Sequence, residues 1–243
     1  DDQIRSSIAV DAQGNYVVVW ASTALVGAAA APVSLEENSS SATLDGNSTS
    51  VIEAVEAPRA TGIFAQRFDR FGNAIGEEIL VESDPALSGE PVVGMDADGN
   101  FVVAWNDDDE NSTGVEARRF DSDGNALGDS FLVNTETVNR QATPDIAMNA
   151  NGQFVITWGS FSQDGDFNDI FAQMYDRDGN PVGNEIAVNN ITNGSQNNSV
   201  VGIDSSGNFV IAWSDVSGQA REVNARRFDS TGTPIGDSFL VNT

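Results

Sequence analysis

The chain of 243 residues contains no cysteine, no histidine and no lysine, and all 11 of its basic residues are arginine. Without cysteine there is no disulfide framework, no thiol nucleophile and no thiolate metal site. Without histidine there is no Ser-His-Asp triad and no imidazole ligand for a metal ion. Without lysine there is no Schiff-base or P-loop chemistry. Carboxylates, hydroxyls and guanidinium groups remain as the main groups that could do chemistry.

Positive charge is scarce, because 37 acidic residues against 11 arginines give a formal net charge of −26. Such a surface repels phosphate groups, which argues against a nucleic-acid partner and against docking on anionic lipid. It favours solubility and the binding of divalent cations or cationic surfaces. No apolar run approaches the roughly eighteen residues of a membrane span, so we expect no membrane insertion.

One motif occurs four times, and each copy ends on one of the four tryptophans of the chain. The copies read SIAVDAQGNYVVVW, VVGMDADGNFVVAW, DIAMNANGQFVITW and VVGIDSSGNFVIAW. A second block follows each copy, as in GIFAQRFDRFGNAIG from Gly62, and a short apolar stretch closes the unit. A period near fifty residues is typical of propeller blades and similar arrays. We expect a single repeat domain over 1–243, with units at about 1–83, 84–135, 136–190 and 191–243.

Each unit reads as four antiparallel strands joined by tight turns. In the second unit, residues 98–100 separate the first two strands and residues 123–125 follow the third, and both segments are Asp-Gly-Asn. Asp-Gly supplies the positive φ angles that tight hairpin turns require. The sequence therefore predicts an all-β fold of four tandem four-stranded antiparallel sheets.

The tryptophan-bearing strand is apolar on both of its faces. In the second unit Phe101, Val103 and Trp105 point to one face, and Val102 and Ala104 point to the other. A strand with one solvated face would alternate with polar residues. We therefore expect neighbouring sheets to cover this strand on both sides in every unit, as in a β-propeller or a linear stack. The pattern leaves open a closed ring, a longer array and head-to-tail association with another subunit.

Residues 21–60 interrupt the first unit with an Ala-rich and then a Ser- and Asn-rich segment. Long insertions of this kind are usually surface loops. The alternative is an assembly arm that adds a strand to the sheet edge of a neighbouring chain. Self-association, either head to tail or through residues 21–60, is therefore an expected partner interaction.

Three turns resemble the front of a calcium-binding loop, which makes calcium the one candidate cofactor. Hard cations prefer several oxygen ligands at such spacing. The candidate ligands are Asp96, Asp98, Asn100, Asp121, Asp123, Asn125, Asp176, Asp178 and Asn180. The distant bidentate glutamate of a calcium loop is missing, and Asp-Gly-Asn is an adequate hairpin turn by itself, so both interpretations stay open.

Two features of the sequence suggest an association with glycans. The loop after the third tryptophan carries Phe161 and Phe167 beside Asp and Asn, and exposed aromatic rings of this kind could stack on a sugar. Asparagines in N-x-Ser/Thr acceptor sequences are the other signal. They are Asn38, Asn47, Asn111, Asn190, Asn193 and Asn197.

No single acid stands outside the repeat pattern in a way that marks an active site, although two carboxylates are all that glycoside hydrolysis needs. Because function has to be argued from a site, we expect a chain that is not an enzyme.

The stretch FAQRFDRFGNAIGEEILV, from Phe64 to Val81, together with GNFVVAW, resembles tandem repeats of very large secreted bacterial surface proteins. The resemblance covers nearly the whole chain outside residues 21–60. It implies an extracellular location, the company of type I secretion and calcium-binding repeats, and an adhesion or matrix role, and it supplies no catalytic residues. The leading functional expectation is an extracellular structural or adhesive protein, with a polymer or fibre subunit included. The alternative is a glycan-binding β-propeller lectin.

Overall fold

A computed structural model describes residues 2–23, 61–83, 89–108, 113–161, 167–191, 194–216 and 221–242. Within these ranges the regular structure is entirely β-strand. The strands are β1 Asp2–Val10, β2 Tyr16–Thr23, β3 Gly62–Phe68, β4 Ala74–Glu82, β5 Val92–Met95, β6 Phe101–Asp108, β7 Thr113–Phe120, β8 Phe131–Leu132, β9 Gln141–Met148, β10 Phe154–Phe161, β11 Asn168–Tyr175, β12 Pro181–Ala187, β13 Ser195–Ile203, β14 Phe209–Val216, β15 Glu222–Phe228 and β16 Phe239–Leu240. The described residues include no helix long and apolar enough to cross a membrane.

Every four consecutive strands form one antiparallel sheet in simple meander order. We call the sheets blades 1 to 4, comprising β1–β4, β5–β8, β9–β12 and β13–β16. Short turns reverse the chain between most consecutive strands and give antiparallel pairing, and β2 and β3 pair in the same way although Thr23 and Gly62 are far apart in the sequence. The predicted fold class, four tandem four-stranded antiparallel sheets, is confirmed. Strand β2 runs through Thr23, so residues 21–23 extend the first blade; the rest of the predicted 21–60 insertion lies outside the described residues.

The blades pack face to face in chain order through three apolar clusters. Val17 and Val19 of blade 1 meet Phe101, Val103 and Trp105 of blade 2. The opposite face of blade 2 packs on the tryptophan face of blade 3, and blade 3 packs in the same way on blade 4. Each tryptophan face therefore belongs to an interface with the preceding blade, except in blade 1, which has none before it.

Burial on both faces holds for the two middle blades and is wrong for the two end blades. Val102 and Ala104 are 2% and 0% exposed, and Ile211 is fully buried. Val210 is 40% exposed, because no strand in the described ranges packs on the face of blade 4 that bears it. Trp20 is likewise only half-buried, although the other three tryptophans lie in the core. Among the described residues, no strand covers the outer face of blade 1 or of blade 4, so the four blades form an open stack.

The stack is fanned, with the first strands of the blades innermost. Among the contacts between neighbouring blades, the most extensive involve β1, β5, β9 and β13. All four of these strands, or the residues just before them, border one pocket. This convergence of first strands is the arrangement of blades in a β-propeller.

The arginines on the third strands bridge blades through backbone carbonyls. The sequence suggests pairing with nearby aspartates, but Arg118 donates from Nη1 to the carbonyl of Val81 in blade 1, at 2.8 Å. Arg226 donates in the same way to the carbonyl of Val188 in blade 3, at 2.9 Å. Arg119 donates to the carbonyls of Arg177 and Asp178 in blade 3. The carbonyl of Val81 belongs to the edge strand β4, that of Val188 directly follows the edge strand β12, and those of Arg177 and Asp178 belong to the turn between β11 and β12.

Glycines in the turns after the third strands lie against side chains from the preceding blade, as Gly179 does against Arg119. Replacing such glycines should distinguish the cost of a left-handed backbone from the cost of steric overlap. Gly179 has φ +79°, and a Cβ there would lie 2.5 Å from Cδ of Arg119. Gly72 has φ +88° at the equivalent place in blade 1, with its nearest neighbour 3.7 Å away. Both alanine variants should lose about 1–2 kcal/mol through the left-handed backbone. Gly179→Ala should lose at least ~1 kcal/mol more through overpacking. Urea unfolding of both variants measures this, and equal losses would contradict the close seating of Arg119.

Candidate functional site

A pocket of about 500 Å³ lies where the first strands of all four blades converge. Each blade contributes three consecutive residues at equivalent positions, namely Arg5, Ser6 and Ser7, then Glu90, Pro91 and Val92, then Thr143, Pro144 and Asp145, then Asn198, Ser199 and Val200. The lining mixes charged and hydroxyl groups with apolar side chains. We call it the central pocket.

The backbone around the central pocket is strained at the same position in blades 1, 3 and 4, whereas blade 2 has its left-handed residue one position earlier, at a glycine. Arg5, Thr143 and Asn198 have φ between +51° and +55°, and Gly89 of blade 2 has φ +47°. A left-handed conformation is uncommon outside glycine and a genuine outlier for β-branched threonine. In blades 1, 3 and 4 it accompanies a bulge that shifts the register of the first strand against the second. Strain of this kind persists where the surrounding structure fixes it and clusters at ligand sites.

Arg5 and Glu90 form an ion pair across the gap between blades 1 and 2. Oε2 of Glu90 also accepts a hydrogen bond from Nδ2 of Asn106, at 3.4 Å. Oδ1 of Asn106 in turn accepts from the backbone N–H of Thr143 in blade 3, at 3.0 Å. One polar chain therefore crosses three blades at the rim of the pocket and fixes the orientation of Glu90.

Asp145 supplies the second carboxyl group of the pocket. Its Oδ2 accepts a hydrogen bond from the backbone N–H of Val201 in blade 4, at 2.8 Å. Burial raises the pKa of Asp145, and the hydrogen bonds from Val201 and Ile146 oppose the rise. A carboxyl group whose pKa is raised by desolvation inside a cleft is a candidate functional group. Sequence analysis missed the central pocket, because its three strained positions, Arg5, Thr143 and Asn198, carry no glycine.

The turns proposed as calcium loops are built as closed Asx turns. Oδ1 of Asp121 accepts the backbone N–H groups of Asp123 and Asn125, at 2.9 and 2.8 Å. Its Oδ2 accepts from Nδ2 of Asn125, at 2.9 Å. The turns that begin at Asp96 and Asp176 repeat all three bonds.

These bonds engage both oxygens of each leading aspartate, and the asparagine side chain turns its nitrogen toward the carboxylate. Within the part of the chain that the structure describes, no three acidic side chains converge closely enough to hold a metal ion. The geometry accounts for the turns without an ion, and calcium binding stays a prediction.

Acid should weaken these turns over a narrow pH window. Hydrogen bonds from the facing side chain and backbone hold the pKa of Asp69, Asp121, Asp176, Asp204 and Asp229 below the ordinary value of 3.8. Because the pKa is lower in the folded state, the stabilisation is present above about pH 4 and disappears as the pH falls through the folded-state pKa. Thermal unfolding followed from pH 7 to pH 2 should show this loss mainly below pH 4.

The control is supplied by blade 3, where Asn149 makes the same turn without a charge. Its Oδ1 accepts the N–H groups of Asn151 and Gln153, at 3.0 and 3.1 Å. A variant with all five aspartates changed to asparagine should therefore lose less stability between pH 4 and pH 2. If the native protein and the variant lost the same stability between pH 4 and pH 2, the role given to the carboxylates would be contradicted.

The remaining glycan candidates are scattered over the surface. Phe161 and Phe167 are both about half exposed, at 49% and 48%, and flank residues outside the described ranges. Asn190 is exposed, and Asn197 is half-buried within β13, where its Oδ1 accepts a hydrogen bond from Asn168. The other acceptor sequences begin outside the described residues, at Asn38, Asn47, Asn111 and Asn193. Glycosylation stays a prediction.

The meander blades, their face-to-face packing and the central pocket define a β-propeller fold. No protein-family profile and no curated protein matches the chain. Among solved structures, the chain is similar to a protein of unknown function from Dyadobacter fermentans, with 12% identity over 98% of this chain and 68% of that one, at a TM-score of 0.59. It is also similar to an N-acetylgalactosamine deacetylase from F. plautii, in complex with blood group B trisaccharide. The identity is 11% over 100% of this chain and 70% of that one, and the TM-score is 0.57. A third similar structure is the GH93 α-L-arabinofuranosidase of Fusarium graminearum with arabinobiose. The identity is 6% over 99% of this chain and 67% of that one, and the TM-score is 0.60.

These similarities contradict the expectation that the chain is not an enzyme. That expectation rested on the absence of an acid outside the repeat pattern, and the comparison overturns it because proteins that share the fold include a deacetylase and an arabinofuranosidase. At 6% to 12% identity the likeness establishes the fold and assigns no residue. The sequence argument failed because a propeller can build a unique site from equivalent positions of successive repeats, such as Arg5, Glu90, Thr143 and Asn198.

Proposed function

We propose that this protein recognises a glycan in the central pocket. The observation that carries the proposal is the convergence of Arg5, Glu90 and Asp145, from three different blades, on one pocket whose backbone is strained at the equivalent position in blades 1, 3 and 4. The fold is shared with proteins whose structures contain a trisaccharide and arabinobiose. A volume of about 500 Å³ lies within the range of small-ligand sites.

The lining suits a ligand with several hydroxyl groups. Arg5 supplies only donors, the carboxylates of Glu90 and Asp145 supply acceptors, and Asn198 supplies both. Vicinal hydroxyls of a sugar can donate to a carboxylate and accept from a guanidinium group at the same time. Pro91 and Pro144 offer apolar surface for the C–H groups of the ring. A phosphorylated or strongly anionic ligand fits poorly, since the chain carries a net charge of −26.

A glycan array followed by calorimetry on the best glycan tests the proposal. Asp145→Asn and Arg5→Ala should each weaken that binding at least about tenfold, since each removes or alters a charge-assisted hydrogen bond. Phe161→Ala combined with Phe167→Ala is the matched control, because those rings form the rival surface suggested by the sequence. A glycan that is lost with the phenylalanines and retained by the pocket variants would overturn the assignment, and so would an array without binding.

Asp145→Asn should also raise the melting temperature at pH 7. The pKa of Asp145 is raised in the folded state, so its ionised form costs stability as the pH rises above the ordinary aspartate pKa. Asparagine keeps an oxygen for the N–H of Val201 and carries no charge. Calorimetric unfolding at pH 7 and pH 4 measures the gain, which should shrink at the lower pH. A melting temperature that falls at pH 7 would contradict this account of Asp145.

A second candidate function is hydrolysis of the bound glycan. The pocket contains two carboxyl groups, Glu90 and Asp145, and a pair of carboxyl groups is what most glycosidases use. Incubation of the best array glycan with the protein, followed by mass spectrometry of the products, distinguishes binding from cleavage. Cleavage that persists in Glu90→Gln and Asp145→Asn would show that neither residue takes part in hydrolysis.

The cellular setting of this function is also a proposal. The resemblance of the repeat to secreted bacterial surface proteins favours an extracellular location, and an acidic chain without cysteine is compatible with it. A glycan site on such a protein would serve adhesion or matrix assembly. Immunogold labelling of intact cells of the source organism tests the location, and labelling confined to the cell interior would contradict it.

A further inference from the structure

The two ends of the stack present apolar sheet faces of different composition, which are exposed at most positions, although Phe64 and Ala225 are buried within their own blades. The aromatic end face, on blade 1, comprises Ile8, Val10, Tyr16, Val18, Trp20, Phe64 and Phe68. The valine end face, on blade 4, comprises Val200, Val210, Ala212, Val223, Ala225, Phe239 and Val241. Ile8 is 59% exposed, and Val200 and Val241 are 57% and 54% exposed. Contiguous apolar surface on this scale marks an interaction site.

The valine end face reproduces, position by position, the face that blade 2 buries against blade 3. The equivalent residues of blade 2 are Val92, Val102, Ala104, Val115, Ala117, Phe131 and Val133, which are identical in type. Burial differs sharply between the two copies, because Val115 is fully buried whereas its equivalent Val223 is 38% exposed. Blade 4 therefore presents a surface already shown within this chain to pack on another blade.

The aromatic end face corresponds in the same way to the face of blade 3 that receives blade 2. That face of blade 3 comprises Ile146, Met148, Phe154, Ile156, Trp158, Phe171 and Tyr175. Ile146, Trp158 and Phe171 recur unchanged on blade 1, and the other four positions keep an apolar or aromatic residue. Tyr16 and Phe68 stack at 5.0 Å, as Phe154 and Tyr175 do at 4.8 Å. The receiving surface is thus preformed on blade 1.

Two kinds of blade alternate along the chain, and they differ in one residue of the third strand. This alternation determines which kind of blade packs after which. Blades 1 and 3 carry Gln66 and Gln173, each bonded to carbonyls of its own blade. Blades 2 and 4 carry Arg118 and Arg226 at this position, each bonded to the preceding blade. A blade of the first kind placed after blade 4 would continue the order, and blade 1 of a second copy is such a blade.

One side chain on the valine end face is already positioned for this neighbour. The third strand of each blade ends on an aromatic residue, and the residue before it lies over a turn glycine of the next blade. The three pairs are Arg67 over Gly124, Arg119 over Gly179 and Met174 over Gly232. Arg227 occupies this position in blade 4 and borders an open groove of about 500 Å³. The equivalent groove between blades 2 and 3 measures only about 130 Å³. In a second copy Gly72 is the glycine that Arg227 would cover.

We propose that copies of this chain associate head to tail, with the valine end face of one copy packed on the aromatic end face of the next. The contact would repeat the interface between blades 2 and 3, including a guanidinium group over a turn glycine. Because the two faces differ, the contact is heterologous, and copies add to an open chain or to a ring. The net charge of −26 per copy opposes association at low salt, so assembly should strengthen as salt screens the repulsion.

Sedimentation velocity of the purified chain over a range of concentration and salt tests the proposal. The native chain should form species of at least twice the monomer mass, and more of them at high salt. Ile8→Asp blocks the aromatic end face and Val210→Asp blocks the valine end face, and both positions are solvent-exposed, so the fold should survive. Val138→Asp, at a site 65% exposed in the loop between β8 and β9, is the matched control and should assemble like the native chain.

Mixing the two blocked variants gives the decisive outcome. Each variant alone should remain monomeric, and an equimolar mixture should form dimers and no larger species, since one intact face of each kind remains. A native chain that is monomeric at every concentration and salt would overturn the proposal. Assembly that survives either single substitution, or a mixture that stays monomeric while the native chain assembles, would overturn it as well. Circular dichroism of each variant confirms that loss of assembly does not reflect unfolding.

Discussion

Trp158→Ala is expected to destabilise the protein by about 3–5 kcal/mol, the usual cost of truncating a buried large aromatic side chain. Trp158 is fully buried in the cluster that joins blades 2 and 3, where it lies among Ala104, Phe154 and Phe171. Two neighbouring sheets fix the walls of the resulting cavity, so the site can collapse only partly. For a domain of this size the loss corresponds to a fall of roughly 10 °C in melting temperature.

Trp20→Ala is the matched control, since both tryptophans occupy the same position of the repeat. Trp20 is half-buried on the aromatic end face and contacts Phe64 within its own blade, with ring centroids 6.1 Å apart. Removing it opens no closed cavity, and we expect a loss of about 1–2 kcal/mol. Thermal unfolding of dilute protein, where copies do not associate, measures both variants. Equal losses would contradict the open-ended stack.

Val102→Asp should be the most damaging single substitution, with a loss of at least ~4 kcal/mol or failure to fold at pH 7. Val102 is 2% exposed and belongs to the apolar cluster between blades 2 and 3, so an aspartate there would lose its hydration and disrupt that packing. An unpaired buried carboxylate becomes protonated in preference to remaining charged. The damage should therefore lessen as the pH is lowered from 7 to 5, and urea unfolding at the two pH values measures this dependence.

Val210→Asp changes the identical residue at the equivalent position of blade 4, where the side chain is 40% exposed. Water can solvate the new carboxylate, so the loss should stay within about 0.5 kcal/mol, as for ordinary surface substitutions. A loss comparable to that of Val102→Asp would show that blade 4 is covered within a single chain. That result would also remove the free face on which head-to-tail association depends.

The turns and the number of strands follow from local sequence. Asp121 and its equivalents recur with Gly and Asn at fixed offsets, and the positive φ and the Asx bonding are local properties of those few residues. Strand pairing then follows from the short turns. The central pocket could not be predicted in this way, since Arg5, Glu90 and Asp145 lie in different repeats. Their proximity depends on how the blades are fanned, which no local pattern encodes.

The sequence by itself determined the four blades, their meander order and the two-sided apolar character of strands such as Phe101–Asp108, because turn chemistry and side-chain alternation are local. Only the tertiary structure decided which of those apolar faces are covered. Val102 and Val210 both follow Gly-Asn-Phe in the chain and yet differ in exposure, because burial depends on whether another blade lies opposite. The central pocket and the two end faces are consequences of that stacking, and both proposals for this protein rest on them.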